Sequence, residues 1–427
     1  MGLCLLTFGI FLFLLIFGVP LAFSMAAAGG IVLAIGDTVP AIGAVSRAFN
    51  GIDSITLLAI PFFILSGSLM EGGSISEQLV NFSKAFVGHF KAGLAYVCVL
   101  SCMIFAAVSG SSMATALAFG NILAPAMKED GYDVGFIATL QATGGTLGPI
   151  IPPSLLFIMY ASSAGLSIGS LFMSGLVPGI LMGIALMIVS YFQIRKTNVK
   201  SSPRMPWNQR IKVIVKAIPA LLMPIIIIGG TLAGFCSPSE AGMVACVYAI
   251  AIGFFLYKGL KIRDLPRIFA KGAMSSGMVL ILMALANVMG YVLTRLDFAT
   301  KIGTFLSSFV TSGTGCLVVI TIFLLILGMF MDSNAALVIF APVFYPLAFV
   351  FDIDPLQLGL IVVMCQVVAQ ITPPVGVLLS TTAAMNGIPM QRTFKHLVPQ
   401  LIALVVVLII CIFVPQLGTW LPHLIYG

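Results

Sequence analysis

Residues 144–153 read Gly144-Gly145-Thr146-Leu147-Gly148-Pro149-Ile150-Ile151-Pro152-Pro153 and lie inside a long apolar stretch. A second stretch, Gln370-Ile371-Thr372-Pro373-Pro374, lies in the same way inside another. Proline removes a main-chain donor and clashes with the preceding helical turn, so both apolar stretches are predicted to be helices that break. The interval between the two Pro-Pro pairs is the same as that between Ser112 and Ser333.

The chain repeats itself at this interval without a gap. Matched prolines and polar residues are the informative ones, because they interrupt transmembrane helices whereas leucines do not. They pair as follows: Pro125 with Pro346, Asp133 with Asp354, and Val177-Pro178 with Val398-Pro399. Broken apolar segments at matching places in two halves are typical of secondary transporters.

The composition indicates a membrane protein. The 427 residues are 60% hydrophobic and 8% charged, and the mean hydropathy is +1.18. Soluble domains are about 25% charged. Segments of about 20 apolar residues cross a bilayer as helices, whereas the short alternating strands of a barrel are absent from the sequence. We therefore predict an all-α polytopic membrane protein.

The positive charge is clustered in two loops. Residues 195–216 hold seven Lys or Arg and no acid, and residues 258–271 hold five, opposed only by Asp264. Basic loops of this kind stay in the cytoplasm. If both loops are cytoplasmic, each predicted crossing fixes the side of the segment that follows it. On that basis 17 of the 20 basic residues lie on the cytoplasmic side, and Arg47, Arg295 and Lys301 lie on the periplasmic side. Both termini are then predicted to be periplasmic, and nucleic-acid binding is not expected.

Each copy is predicted to contain about five crossings, one re-entrant hairpin and one broken helix. An odd number of crossings inverts the second copy relative to the first. The hairpin arms (93–108 with 113–127, and 315–331 with 335–351) are too short to span about 30 Å of hydrocarbon. Stretches 74–90 and 297–312 are predicted to lie along the interface, and the last crossing is placed near 397–420.

The predicted division separates scaffold from transport segments. Repeat 1 comprises scaffold and arm helices (1–92), a hairpin with its broken helix (93–165), and a last crossing with the basic loop (166–216). Repeat 2 comprises scaffold and arm helices (217–313), a second hairpin with its broken helix (314–390), and a final crossing (391–427).

Each hairpin tip is predicted to face a helix break and to hold a sodium ion. Carbonyls released by a break, hydroxyls and helix ends are hard oxygen donors inside the membrane. Glycine lets the main chain approach such an ion closely. The first site comprises Ser109, Gly110, Ser112, Gly145, Gly148 and Pro149, and the second comprises Gly328, Asp332, Ser333, Ala369, Thr372 and Pro373.

Asp332 is the sharpest single candidate, because a carboxylate within an apolar hairpin costs about 3 kcal/mol on insertion scales. Three roles are open for it: binding a cation, relaying a proton, or capping the helix that follows. Ser111 occupies the same position in the first copy, so the two sites are expected to be unequal.

A substrate carboxylate is expected to meet Arg295, whose planar fork can bind it bidentately. The alternatives are that Arg295 reaches the lipid headgroups or pairs with Asp297. The hairpin-tip residues Ser111 and Asn334 complete the predicted substrate set. No ATP-binding loop, catalytic triad or metal-ligand cluster is recognisable in the sequence, so no enzymatic activity and no cofactor are expected.

Five stretches resemble one known family. They are Pro61-Phe62-Phe63-Ile64-Leu65-Ser66-Gly67, Ser109-Gly110-Ser111-Ser112-Met113-Ala114-Thr115-Ala116, Gly148-Pro149-Ile150-Ile151-Pro152-Pro153-Ser154, Ser237-Pro238-Ser239-Glu240-Ala241 and Thr372-Pro373-Pro374-Val375-Gly376. Together they resemble the large membrane subunit of tripartite ATP-independent periplasmic (TRAP) transporters, most closely the sialic-acid type. The two breaks differ in sequence: Ala369-Gln370 in the second occupies the position that Gly148-Pro149 occupies in the first.

The resemblance implies a sodium-coupled elevator in the bacterial inner membrane. A periplasmic binding protein would deliver an organic acid, and a separate four-helix membrane subunit would extend the scaffold. Sialic acid is the favoured substrate, and a C4-dicarboxylate or another carboxylate is the alternative. A stand-alone anion carrier or exchanger, and a membrane scaffold without transport activity, are the further alternatives.

Overall fold

The computed structural model describes residues 2–35, 41–200 and 203–426, and all regular structure in these ranges is helical. Repeat 1 contains α1 (Gly2–Ile16), α2 (Leu21–Ile35), α3 (Ala41–Asn50), α4 (Ala59–Gly72), α5 (Ile75–Val87), α6 (Gly93–Ser109), α7 (Ser112–Glu129), α8 (Val134–Gly145), α9 (Leu155–Ala164) and α10 (Ile168–Ile194).

Repeat 2 contains ten further helices. They are α11 (Trp207–Leu232), α12 (Pro238–Ala251), α13 (Leu265–Arg295), α14 (Phe298–Ser307), α15 (Gly313–Gly328), α16 (Ser333–Val350), α17 (Pro355–Ala369), α18 (Val377–Met385), α19 (Phe394–Phe413) and α20 (Gln416–Tyr426). Across the described ranges, seven helical stretches are long and apolar enough to cross a membrane.

The helices confirm the duplication. Helix α16 begins and ends at the repeat equivalents of the first and last residues of α7. The peptide bonds Pro152–Pro153 and Pro373–Pro374 are both cis. The packing of the helices is duplicated as well. Helices α4 and α13 are repeat equivalents, as are α2 and α12, and the contact of α4 with α12 has its counterpart in the contact of α13 with α2. In the same way, the contact of α7 with α18 has its counterpart in the contact of α16 with α9.

Contacts along α19 show that the copies are inverted. His396, at the start of α19, lies 3.1 Å from Asp133, which caps α8. At the other end of α19, the Gln357 amide from the start of α17 donates to the carbonyl of Cys411 at 3.2 Å. A 20-residue helix is about 30 Å long, so the equivalent helices α8 and α17 start on opposite faces of the protein.

We call the face that carries the turn 130–133 the basic face, because basic segments gather there. The main-chain N–H of Lys200 donates to the carbonyl of Asp130, and the Lys91 ammonium donates to the carbonyl of Arg195. The opposite face carries the turn 351–354, which follows α16. The end of α13 lies on that face too, because α14, the next helix after α13, packs against the end of α16: a β carbon on Gly303 would lie 3.5 Å from the side chains of Leu347 and Val350. The proximity of these basic segments agrees with the charge pattern.

Helices α8 and α17 form the centre of the protein. Residues 135–145 and 357–369 are buried throughout, and a helix that is apolar all round needs such a position. The hairpins α6–α7 and α15–α16 pack against them, and α10 and α19 complete this bundle. Helices α1, α2, α4 and α11–α13 pack beside it, and we call this group the scaffold, after the predicted division.

The last predicted crossing differs from the structure. Helix α19 ends at Phe413, and α20 begins at Gln416 as a separate helix. Pro415 accounts for this break, because proline lacks a main-chain donor and disfavours helical geometry in the residue before it. Helix α3 was not predicted at all, whereas the interfacial stretches appear as α5 and α14.

Candidate functional site

The first hairpin tip is built around Gly110, whose φ of +60° favours glycine. Here α6 ends, and Ser111 caps α7 by accepting from the main-chain N–H of Ala114 at 3.4 Å. The hydroxyls of Ser109 and Thr115 lie 2.9 Å apart. This arrangement presents hydroxyl and carbonyl oxygens at a sharp, well-bonded turn.

The tip packs directly on the first helix break. The main-chain N–H of Leu155 donates to the carbonyl of Gly110 at 3.3 Å. A β carbon on Gly145 would lie 2.9 Å from the carbonyl oxygen of Ser112, and one on Gly148 would lie 2.6 Å from that of Ser111. Both contacts require glycine.

All six residues predicted for the first site are therefore brought together. Ser112 is buried, and its hydroxyl has no hydrogen-bond partner among the described residues. Pro149 lines the same cavity as Ser109 and Gly110.

The second hairpin tip meets the second break through different contacts. The hydroxyl of Ser333 donates to the carbonyl of Gln366 at 3.1 Å. A β carbon on Gly328 would lie 2.6 Å from the β carbon of Ala369. These contacts join α15, the start of α16 and the end of α17 into one junction.

Three other residues predicted for the second site lie at the edge of this junction. Asp332 is exposed at the tip and accepts from the main-chain N–H groups of Asn334 and Ala335 at 3.0 and 3.3 Å. It therefore caps α16, as Ser111 caps α7. Thr372 lies in the break, where its hydroxyl donates to the carbonyl of Val368 near the end of α17 at 2.8 Å, and Pro373 follows it, half-buried.

Gln366 is a candidate that the sequence prediction missed. Its side chain is fully buried, and neither amide atom has a hydrogen-bond partner among the described residues. Gln366 is the repeat equivalent of Gly145. The second junction therefore contains a long polar side chain at a position where the first junction has only a glycine. The substitution of Gln for Gly between the repeats was the available signal.

Both hairpin tips open onto one cavity of about 300 Å³, the central cavity. Helices α4 and α13 of the scaffold form its other wall. The residues from the tips and the wall that carry its chemistry are Ser68, Glu71, Ser111, Lys271, Asp332 and Asn334.

Lys271 and Glu71 form an ion pair at the wall of the central cavity. The ammonium lies 3.8 Å from the carboxylate, and the side chains are 65% and 38% exposed. The pair was missed because Glu71 and Lys271 lie in different repeats and only the packing of α4 on α13 joins them. Lys271 is the one Lys or Arg among the described residues that line this cavity.

Arg295 lies apart from Ser111 and Asn334. It lines a second cavity of about 410 Å³, toward the opposite face. Its Nε donates to the hydroxyl of Tyr291 at 3.1 Å. The structure thus brings two of the three predicted substrate residues to one cavity and places the third in another.

Comparison with known proteins identifies the family. Residues 8–417 match the model of the tripartite ATP-independent periplasmic transporter, DctM component. The C4-dicarboxylate TRAP transporter large permease protein DctM of Pseudomonas aeruginosa is 38% identical over 88% of this chain and 88% of its own. The sialic acid TRAP transporter large permease protein SiaM of Vibrio cholerae is 31% identical over 97% of each chain.

A solved structure shows the same fold. The YdaH transporter of Alcanivorax borkumensis, described as having an unusual topology, superposes with a TM-score of 0.58 over 89% of this chain and 87% of its own. Its sequence identity is 15%, so this likeness concerns the fold alone. The family match and the named relatives show that this chain is a permease subunit of a transporter rather than an enzyme. The chain belongs to the family of the DctM component, the large permease of tripartite ATP-independent periplasmic transporters.

Proposed function

We propose that this permease imports an organic acid and that sodium ions bound at the two hairpin–break junctions drive the import. One observation carries the proposal: two equivalent junctions, built from oppositely oriented repeats, open onto one shared cavity. Each junction concentrates main-chain carbonyls and hydroxyls where a helix is interrupted. Hard oxygen donors in a cavity within the membrane suit a small cation.

The central cavity suits a carboxylate. The N-termini of α7 and α16 lie at the two tips, and a helix N-terminus attracts an anion. Lys271 adds a full positive charge on the scaffold wall. We propose that the carboxylate binds between the tips and Lys271, so that ions and substrate occupy adjacent positions.

Two organic acids are candidates for the transported substrate. The sequence resemblance favours sialic acid. The 38% identical relative is named for C4-dicarboxylates, so a C4-dicarboxylate is the competing candidate. Both carry a carboxylate, the group that we propose binds between the tips and Lys271.

Family membership implies a small membrane subunit and a periplasmic binding protein as partners, and the bacterial inner membrane as the location. We further propose that the bundle of hairpins and broken helices slides against the scaffold as an elevator. The division of the helices into these two groups supports this motion. The interface between α13 and α16 would then be a sliding surface.

The experiment is uptake into proteoliposomes that hold the permease and small subunit, with binding protein outside. Sialic acid and succinate are supplied in turn, with an inward sodium gradient or with equal potassium. We expect sodium-dependent uptake of one acid and little of the other. Uptake that is equal in potassium would refute the coupling, and uptake without binding protein would favour a stand-alone carrier.

A further inference from the structure

The second cavity holds an arrangement that the central cavity lacks. Two guanidinium groups lie against one ring: that of Arg47 is 4.5 Å from the centre of the Tyr291 ring, and that of Arg295 is 5.5 Å from it. The two guanidinium groups therefore lie within about 10 Å of each other and line one cavity, and like charges at that range repel less when an anion lies between them. Guanidinium groups also bind carboxylates and phosphates bidentately.

Packing fixes Arg47 in this position. The side-chain amide of Asn287 donates to the carbonyl of Gly51 at 3.4 Å, just after α3 ends. A β carbon on Gly51 would overlap the Asn287 side chain. This contact holds the end of α3 on α13, so Arg47 reaches the ring of Tyr291 from a different helix.

The two cavities follow one another along one interface. On α13, Lys271, Ser275 and Val279 line the central cavity, and Asn287, Tyr291 and Arg295 line the second, all at four-residue spacing. On α16, Asn334 lines the central cavity, and Val338 and Pro342 line the second.

Met283 occupies the position between the two sets on α13 and is 1% exposed. Val279 and Asn287 are eight residues apart, about 12 Å along a helix. The two cavities therefore lie along the same interface between α13 and α16. The buried side chain of Met283 lies between them and separates them.

We propose that the cavity of Arg47, Tyr291 and Arg295 is a second binding site for the carboxylate of the transported acid. This inference rests on the proposed function, because it takes the central cavity as the substrate's other position. The charge pattern predicts the face of Arg295 to be periplasmic, so an arriving acid meets the two arginines before the interface opens at Met283. The site differs from the central one in using two guanidinium groups instead of Lys271.

The test is protection of individual arginines from phenylglyoxal. The permease with its small subunit, in vesicles of zwitterionic lipid, is treated with the reagent with and without sialic acid or succinate, and each modified peptide is quantified by mass spectrometry. We expect the transported acid to slow modification of Arg47 and Arg295 at least fivefold. The exposed Arg204 and Arg267 line neither cavity and are expected to react at unchanged rates.

Three outcomes would overturn the proposal: no protection by the acid that is transported, protection by anionic lipid but not by the acid, or protection by binding protein without acid. They would indicate, respectively, no site, a lipid phosphate site and a protein-docking surface. Sodium-driven uptake without protection would refute only this inference. Protection without sodium-driven uptake would refute only the proposed function.

Transport kinetics supply a second readout. Removing one charge-assisted hydrogen bond weakens binding by about tenfold or more. Arg47→Gln and Arg295→Gln are each expected to raise the acid concentration for half-maximal uptake about tenfold. Lys301→Gln removes a charge predicted to lie on the same face, yet Lys301 does not line the cavity, so it is expected to leave that concentration unchanged. An equal effect of all three variants would contradict a specific site.

Discussion

The α carbon of Gly148 lies so close to the carbonyl of Ser111 that a β carbon on Gly148 would be 2.6 Å from that oxygen. This contact joins the first hairpin to the first helix break. This tightly held main-chain turn is where we propose that a cation binds, and even the smallest added side chain would move it.

Gly148→Ala is therefore expected to abolish or strongly reduce sodium-driven uptake. Overpacking of this kind costs about 1–3 kcal/mol, so the protein should still fold with a lowered melting temperature. Gly277→Ala on α13 is the matched control, because a β carbon there has nothing within 4 Å. Normal uptake by Gly148→Ala would show that the junction tolerates displacement.

Asp332 has a structural role that its charge alone would not reveal. Its carboxylate caps α16 as the Ser111 hydroxyl caps α7. Asp332→Ser keeps a cap and removes the charge, whereas Asp332→Ala removes both. We expect Asp332→Ser to keep its melting temperature within a few degrees and to need several-fold more sodium for half-maximal uptake. An unchanged sodium requirement would leave Asp332 with the capping role only.

Gln366 carries a buried amide without a partner among the described residues, an arrangement that costs about 1–3 kcal/mol. Gln366→Met is expected to raise the melting temperature, because it removes that cost at similar volume, and to weaken sodium dependence. Gln141 is equally buried on α8 and its Nε2 also lacks a partner among the described residues, but its Oε1 accepts from the buried Asn386 amide at 2.8 Å. Gln141→Met would remove that acceptor from Asn386, so it should lower the melting temperature instead. A stabilised Gln366→Met with normal sodium dependence would exclude Gln366 as an ion ligand.

The pair of Lys271 and Glu71 predicts opposite effects of neutralising each partner. Lys271→Met removes the cation proposed to bind the carboxylate, so the half-saturating acid concentration should rise about tenfold. Glu71→Gln frees Lys271 from its competing partner, so that concentration should fall. Lys261→Met, in the nearby exposed loop, is the charge-matched control. A rise in both variants would mean that the pair is only structural.

The sequence predicted the repeated features well, because prolines and caps act locally. The break at Gly145 and the start of α16 at Ser333 follow from residues within a few positions of them. Lys271 with Glu71, and Arg47 with Tyr291, could not be predicted in this way, since each pair depends on how distant helices pack. Arg295 was predicted to share a site with Asn334, yet α13 carries it past the central cavity to the second one.

The most direct test of the central claim, that the two junctions bind sodium, is the melting temperature of the purified permease in sodium chloride against potassium chloride at equal ionic strength. A ligand that binds only the folded protein stabilises it by RT ln(1 + [L]/Kd). We predict that the melting temperature rises with sodium concentration and that Gly148→Ala loses most of this rise. Identical melting curves in sodium and potassium at every concentration would contradict the account.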